Sequence, residues 1–105
     1  MPNDVFDLLR DAIRTKRNVS ATYRGRYREV SPHAIGYKDG VAHLIANQFG
    51  GESSTGLSPD PAENWRCMDV DLLANVMSIG GEWQTASNHS RPNTCIDDIV
   101  EEVVH

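Results

Sequence analysis

Apolar residues recur along this chain with two different periods. Val5, Leu8, Leu9, Ala12 and Ile13 fall at i, i+3, i+4, i+7 and i+8, which places one apolar stripe on an amphipathic helix. Asp4 and Asp7 suit the positive end of its dipole, and Arg14, Lys16 and Arg17 suit the negative end. A helix over 4–16 is expected, with Asn18 as its stop. From there the period becomes two. Val19, Ala21 and Tyr23 alternate with Ser20, Thr22 and Arg24, as in a half-buried strand. A second strand follows over 26–37. Its apolar parity changes near Pro32, between Val30 on one side and Ile35 and Tyr37 on the other, so a bulge is expected there. Asp39-Gly40 marks a hairpin leading into a third strand over 41–49.

Residues 50–61 contain four glycines or prolines before Pro61 and no apolar periodicity, so they read as a mobile loop. A fourth strand is expected over 64–70, a short helical turn over 71–75, and a fifth strand from 76. The stretch 85–93, TASNHSRPN, is polar and linker-like. Beyond it Ile96, Ile99, Val100 and Val103 again fall at helical spacing, with Asp97, Asp98, Glu101 and Glu102 opposite. The pattern predicts a short C-terminal amphipathic helix over 94–105, whose stripe needs a surface to cover it. That surface is either the chain's own sheet or a second copy, which makes those four apolar residues candidate interface positions. The fold class is therefore α+β, mostly β: an N-terminal helix, about five antiparallel strands in a small SH3-like or Sm-like barrel, and a short C-terminal helix. Residues 1–84 form the domain, 85–93 the linker and 94–105 the appended helix.

Charge refines this picture. The 105 residues carry a net charge of -5, but residues 1–38 hold eight Lys/Arg against four Asp/Glu, and residues 39–105 hold two against eleven. The acidic whole argues against strong non-specific DNA binding, while the basic half leaves room for a local anion site. No apolar run approaches the roughly 18 residues that span a bilayer. The N-terminus lacks the basic stretch of a secretory signal. Cys67 and Cys95 are too few and too far apart for a disulfide framework or a zinc site. A reduced, cytoplasmic protein is expected.

The order helix, strand, Arg28-x-Val30-x-Pro32, hairpin, strand, Trp65-Arg66-x-Met68-x-Val70-Asp71 resembles the WYL domain from about residue 5 to 83. Ala12-Ile13 near the helix end and Tyr23 closing the first strand add to the likeness. The name-giving Trp-Tyr-Leu falls on Ala42-His43-Leu44, so only the leucine is kept, and a family arginine falls on Leu72. The resemblance implies an Sm-like fold and a sensor module of bacterial transcription regulators, some of which bind nucleic acid or nucleotides. It further implies a free-standing module, since no helix-turn-helix precedes the match, acting as a sensor or as the partner subunit of a regulator.

Candidate chemistry centres on the arginines. Arg28 and Arg66 offer planar forks suited to phosphate or carboxylate; the alternative is pairing with Glu29, Asp69 or Asp71. Arg24, Arg26 and Arg28, interleaved with Gly25 and Tyr27, form a basic stripe beside an aromatic, the one local feature that favours nucleic acid; the alternative is a solvated hairpin tip. His33 and His43, on neighbouring strands across the Asp39-Gly40 turn, are candidates to line one face as hydrogen-bonding or stacking groups; the alternative is two ordinary strand residues. They lack a third ligand, so no metal is expected. Tyr23, Trp65 and Trp83 are expected in the core; Tyr27 and Tyr37 are left open between core packing and stacking on a ligand, with Tyr27 the candidate ligand-binding residue. Ser53 and Ser54 sit in no nucleophile-elbow or phosphate-loop pattern, and no paired carboxylates stand in an apolar context. No catalytic site and no cofactor are expected. The expected ligand is an anionic small molecule, a nucleotide or a short single-stranded nucleic acid. The alternative is a protein–protein module that assembles as a homodimer through its C-terminal helix.

Overall fold

A computed structural model describes residues 4–51, 57, 64–83 and 95–103. Helix α1 spans Asp4–Thr15 and buries Leu9, Ala12 and Ile13, as its stripe requires. It ends before Asn18 because Lys16 takes a left-handed φ of 56°. The Arg17 N–H then donates back to the Ala12 carbonyl at 2.9 Å, which satisfies the last turn. Strands follow at Asn18–Tyr23 (β1), Arg26–Lys38 (β2), Val41–Gly51 (β3), Trp65–Asp69 (β4), Leu73–Ile79 (β5) and Asp98–Glu102 (β6). A single 3-10 turn, Val70–Leu72, joins β4 to β5. The loop expected over 50–61 begins as the end of β3 and otherwise lies outside the described residues, except for exposed Leu57. The linker over 85–93 lies outside them too.

All strand pairs are antiparallel, in the order β4-β3-β2-β1-β5, with β6 added to β2 off that path. The expected barrel is not closed: β5 pairs with β1 alone and β4 with β3 alone among the described residues. Three residues connect those two edge strands, a link of only about 10 Å. The sheet is therefore strongly curled but open. Tyr23 on β1 shows the same curl, since its hydroxyl accepts from the Asp69 backbone N–H at the end of β4, 3.1 Å away.

The bulge expected near Pro32 is present. Pro32 pairs with Ala46 and Ala34 with Ile45, which leaves His33 as the extra residue. This insertion puts Val30 and Ile35 on the same face despite their odd spacing, and it explains the parity change in the sequence. That face, with Val19, Leu44, Ala46 and Met68, packs under α1 as the main core. The opposite face carries a smaller cluster of Ala34, Ile45, Cys95 and Ile96, with Trp65 against it.

The bend also divides one edge of β2 between two partners. Residues 26–30 pair with β1, and residues 34–37 pair with β6. The expected C-terminal helix is thus a strand. Its β-branched Ile99, Val100 and Val103 are poor helix formers, and β2 offers an edge whose backbone groups need partners. Gly36 makes the approach feasible, because a Cβ there would collide with the Asp98 carbonyl and the Ile96 side chain.

A second correction concerns the cysteines. Cys67 and Cys95 form a disulfide, with Cα atoms 6.0 Å apart. Their separation of 28 residues in sequence is bridged because the arm before β6 crosses the face of the sheet that carries Ile45 and Trp65.

A buried polar bracket ties the hairpin to the end of β5. Ser31 Oγ donates to Asn18 Oδ1 at 2.6 Å, and Asn18 Nδ2 donates to the Glu82 carbonyl at 3.0 Å. Asn18 and Ser31 are fully buried. Asn18→Ala would leave the Ser31 hydroxyl and the 80–82 backbone without these partners. A loss of about 2–3 kcal/mol is expected, read as a lower midpoint in urea unfolding.

Candidate functional site

One end of the curled sheet collects its cations. The β1–β2 hairpin turns at Arg24 and Gly25, both with positive φ (53° and 78°), the tight two-residue turn that such dihedrals allow. Arg24 therefore lies in the turn itself rather than on the strand. Arg24, Arg26 and Tyr27 are exposed there, whereas Arg28 is buried. The guanidinium groups of Arg24 and Arg28 both lie over the Tyr23 ring, 5.4 and 5.2 Å from its centroid. Tyr27 is 47% exposed, and its hydroxyl donates to Glu29 Oε2 at 2.9 Å. That hydrogen bond, more than any burial, raises the phenol above its ordinary range.

The deeper part of the site lies on the α1 face of the sheet, beyond the apolar core. Gln48 continues the parity of Leu44 and Ala46 on β3, and Arg66 continues that of Met68 on β4. Both arginines singled out from the sequence converge on Gln48. Its Oε1 accepts from Arg28 Nη1 at 3.4 Å and from Arg66 Nε at 3.2 Å. The amide is held in turn, with Nε2 donating to the Gly50 carbonyl at 3.0 Å. Arg66 Nη1 also donates to the Trp65 carbonyl.

A neutral amide oxygen cannot compensate the charge of the Arg28 guanidinium. Arg28 is only 7% exposed, forms no ion pair among the described residues, and keeps a buried Nε without a hydrogen-bond partner. Burial lowers its pKa, the Tyr23 ring opposes that shift, and Arg26 and Arg24 add to the lowering. Arg66 is lowered by burial and then by the charge of Arg28. The expected alternative, pairing of Arg28 with Glu29, is not what the carboxylate does: Glu29 accepts from Tyr27. Asp69 Oδ1 accepts from the Asp71 backbone N–H.

The histidines do not form a pair. His43 lies opposite Gly36 and Asp69, and its Nδ1 contacts the Val41 carbonyl at 3.0 Å. His33 occupies the β2 bulge, 2% exposed, edge-on to Trp65 at 4.6 Å and stacked on Trp83 at 4.3 Å. The register of the hairpin, which sets His43 opposite Gly36, three residues from His33, is what rules out the expected cross-strand neighbourhood. Tyr23 is in the main core as expected; Trp83 is half-buried against that core and Trp65 against the smaller cluster on the opposite face. Tyr37 stacks on Phe6 at 5.5 Å, away from the arginines along β2. Of the four candidate interface residues, Ile96 and Val103 are buried within the domain, while Ile99 and Val100 remain exposed on β6.

Gln48 and Tyr23 are the members of the arginine site that sequence reasoning missed. The signal for Gln48 was present: it is a polar residue at an apolar-parity position of a strand.

The order of elements around these arginines has a counterpart among known families. The family model described as the WYL domain matches residues 4–75, from α1 into β5. The chain belongs to the WYL domain family. WYL domains are regulatory, ligand-sensing modules, and in this WYL domain the matched span contains Arg28, Gln48 and Arg66. The C-terminal arm and β6 lie beyond it. Comparison with curated proteins and with solved structures gave no significant match. No helix among the described residues of this WYL domain is long and apolar enough to cross a membrane.

Proposed function

We propose that this WYL domain is a non-catalytic sensing or regulatory module that recognises an anionic ligand, a nucleotide or a short single-stranded nucleic acid, through Arg28 and Arg66. The observation that carries this reading is the buried Arg28 guanidinium. It has been taken out of water, shares a neutral acceptor with a second arginine, and retains an unsatisfied donor. A desolvated cation of this kind costs stability unless an anion completes it. A phosphate oxygen arriving from the hairpin side would meet Arg24 and Arg26 first, and the exposed Tyr27 ring supplies a stacking surface beside them.

The reading is tested by fluorescence anisotropy with labelled single-stranded RNA and DNA of about ten nucleotides, competed with mononucleotides, at low and near-physiological salt. Salt-dependent binding is expected, weakened about tenfold or more by Arg66→Ala. Arg26→Ala should weaken all sequences alike and reduce the slope of log affinity against log salt by about one. Competition by mononucleotides would identify the smaller ligand. No binding to either strand or to nucleotides at low salt would overturn the reading.

A further inference from the structure

We propose that the Cys67–Cys95 disulfide is a redox latch that holds the C-terminal strand β6 on the edge of β2, and that reduction releases the arm while the remaining sheet stays folded. The inference is independent of which ligand the arginines take.

Besides the sulfur bridge the arm is held by a short backbone ladder on β2 and by two buried apolar side chains, Ile96 and Val103. Among residues 95–103 only Cys95, Ile96 and Val103 are buried, and four of the five β6 residues are exposed. The segment carries Asp97, Asp98, Glu101 and Glu102 and no basic residue. One surface ion pair, Arg10 Nε to Glu101 Oε1 at 3.1 Å, joins it to α1, and such exposed pairs are weak. The five-stranded path β4-β3-β2-β1-β5 is continuous without β6. The sheet can therefore lose this strand without losing another pairing.

The bridge is also placed for chemistry. Cys95 is buried but Cys67, on the outward side of edge strand β4, is exposed. A thiolate of a small dithiol can attack the Cys67 sulfur, form a mixed disulfide there and expel Cys95 as thiolate. The second thiol of the reagent then displaces Cys67 and closes the reagent's own disulfide. Two electrons and two protons pass to the protein, and both cysteines end as thiols. With the cross-link gone, the arm must hold by its few contacts, and a closure over 28 residues is worth about a hundredfold or more in the docking equilibrium.

Two backbone hydrogen bonds report on the arm directly. Asp97 N–H donates to the Tyr37 carbonyl at 3.0 Å, and Val103 N–H donates to the His33 carbonyl at 2.8 Å. Amide hydrogen exchange would be followed on the whole chain, oxidised and then reduced with a small dithiol. On reduction the Asp97 and Val103 amides are expected to lose nearly all protection, exchanging within about threefold of an unstructured chain, while amides of β3 around Leu44, slowed only by the lower global stability, keep at least about hundredfold protection. Reoxidation should restore protection. The variant carrying both Cys67→Ser and Cys95→Ser should show the open pattern with or without dithiol. Unchanged Asp97 and Val103 exchange in the reduced protein would overturn the latch, leaving a mere staple. Equal residual protection of the arm and of β3 in the reduced protein would overturn it as well, since the bridge would then hold the whole fold. The reversible wild-type titration decides between these even where the double variant folds poorly.

Discussion

Arg28→Met is expected to abolish anion binding, by about a hundredfold or more, while making the unliganded protein more stable by about 1–2 kcal/mol. The two effects have one cause. Arg28 is buried, has no carboxylate partner among the described residues, and faces the like charges of Arg24, Arg26 and Arg66. Methionine fills a similar volume without a charge to desolvate. It forfeits the stacking of the guanidinium over Tyr23, worth about 0.5–2 kcal/mol, and removes the larger cost of the buried cation. The gain should be nearly flat between about pH 6 and pH 9. The folded-state pKa lies below the unfolded one, so the penalty on the charged form is fully present below the folded value and is relieved only as pH rises through it. Urea unfolding of both proteins at two pH values, beside anisotropy, checks each half. A midpoint below that of the parent would show that Arg28 is a structural cation. Reduced binding without a rise in stability would show that the Tyr23 contact already offsets the burial.

Removing the disulfide carries the other large effect. Replacing both Cys67 and Cys95 by serine is expected to lower unfolding stability by about 3–4 kcal/mol, the loop-closure value for a separation of 28 residues. A domain of this size has roughly 5–15 kcal/mol in total, so the protein should remain folded at room temperature but melt well below the parent. The loss should appear equally in the parent under dithiol, measured by urea unfolding with and without reductant. A loss under about 1 kcal/mol would mean that the arm is held mainly by Ile96, Val103 and the β2–β6 ladder. In that case Gly36→Val, which drives a side chain into the Asp98 carbonyl, should destabilise more than the loss of the bridge.

Arg66, which shares Gln48 with Arg28, and Cys67 lie on opposite faces of β4. Arg66 points with Met68 toward the main core face, and Cys67 points with Trp65 toward the arm. One five-residue edge strand thus carries a candidate ligand group and the anchor of the C-terminal strand on adjacent residues. The alternation of a strand is what separates them.

Local pattern determined much of this protein. The stripe from Val5 to Ile13 specified α1 and the face it buries, and period-two runs located β1 through β4 to within a few residues. The parity change at Pro32 announced the bulge at His33 before any pairing was known, because a single inserted residue flips every later side chain. The motif order and the two arginines carried the family. Tertiary structure decided the rest. Ile96, Ile99, Val100 and Val103 fit a helix as well as a strand when read alone; the open edge of β2 beside Gly36, some sixty residues earlier in the chain, selected the strand. Cys67 and Cys95 were distant until β4 and the arm met across one face of the sheet. Gln48 was an unremarked polar residue until the curl of the sheet brought Arg28 and Arg66 to the same oxygen. In each case the deciding quantity was a contact between segments remote in sequence, and neither periodicity nor propensity contains such a contact.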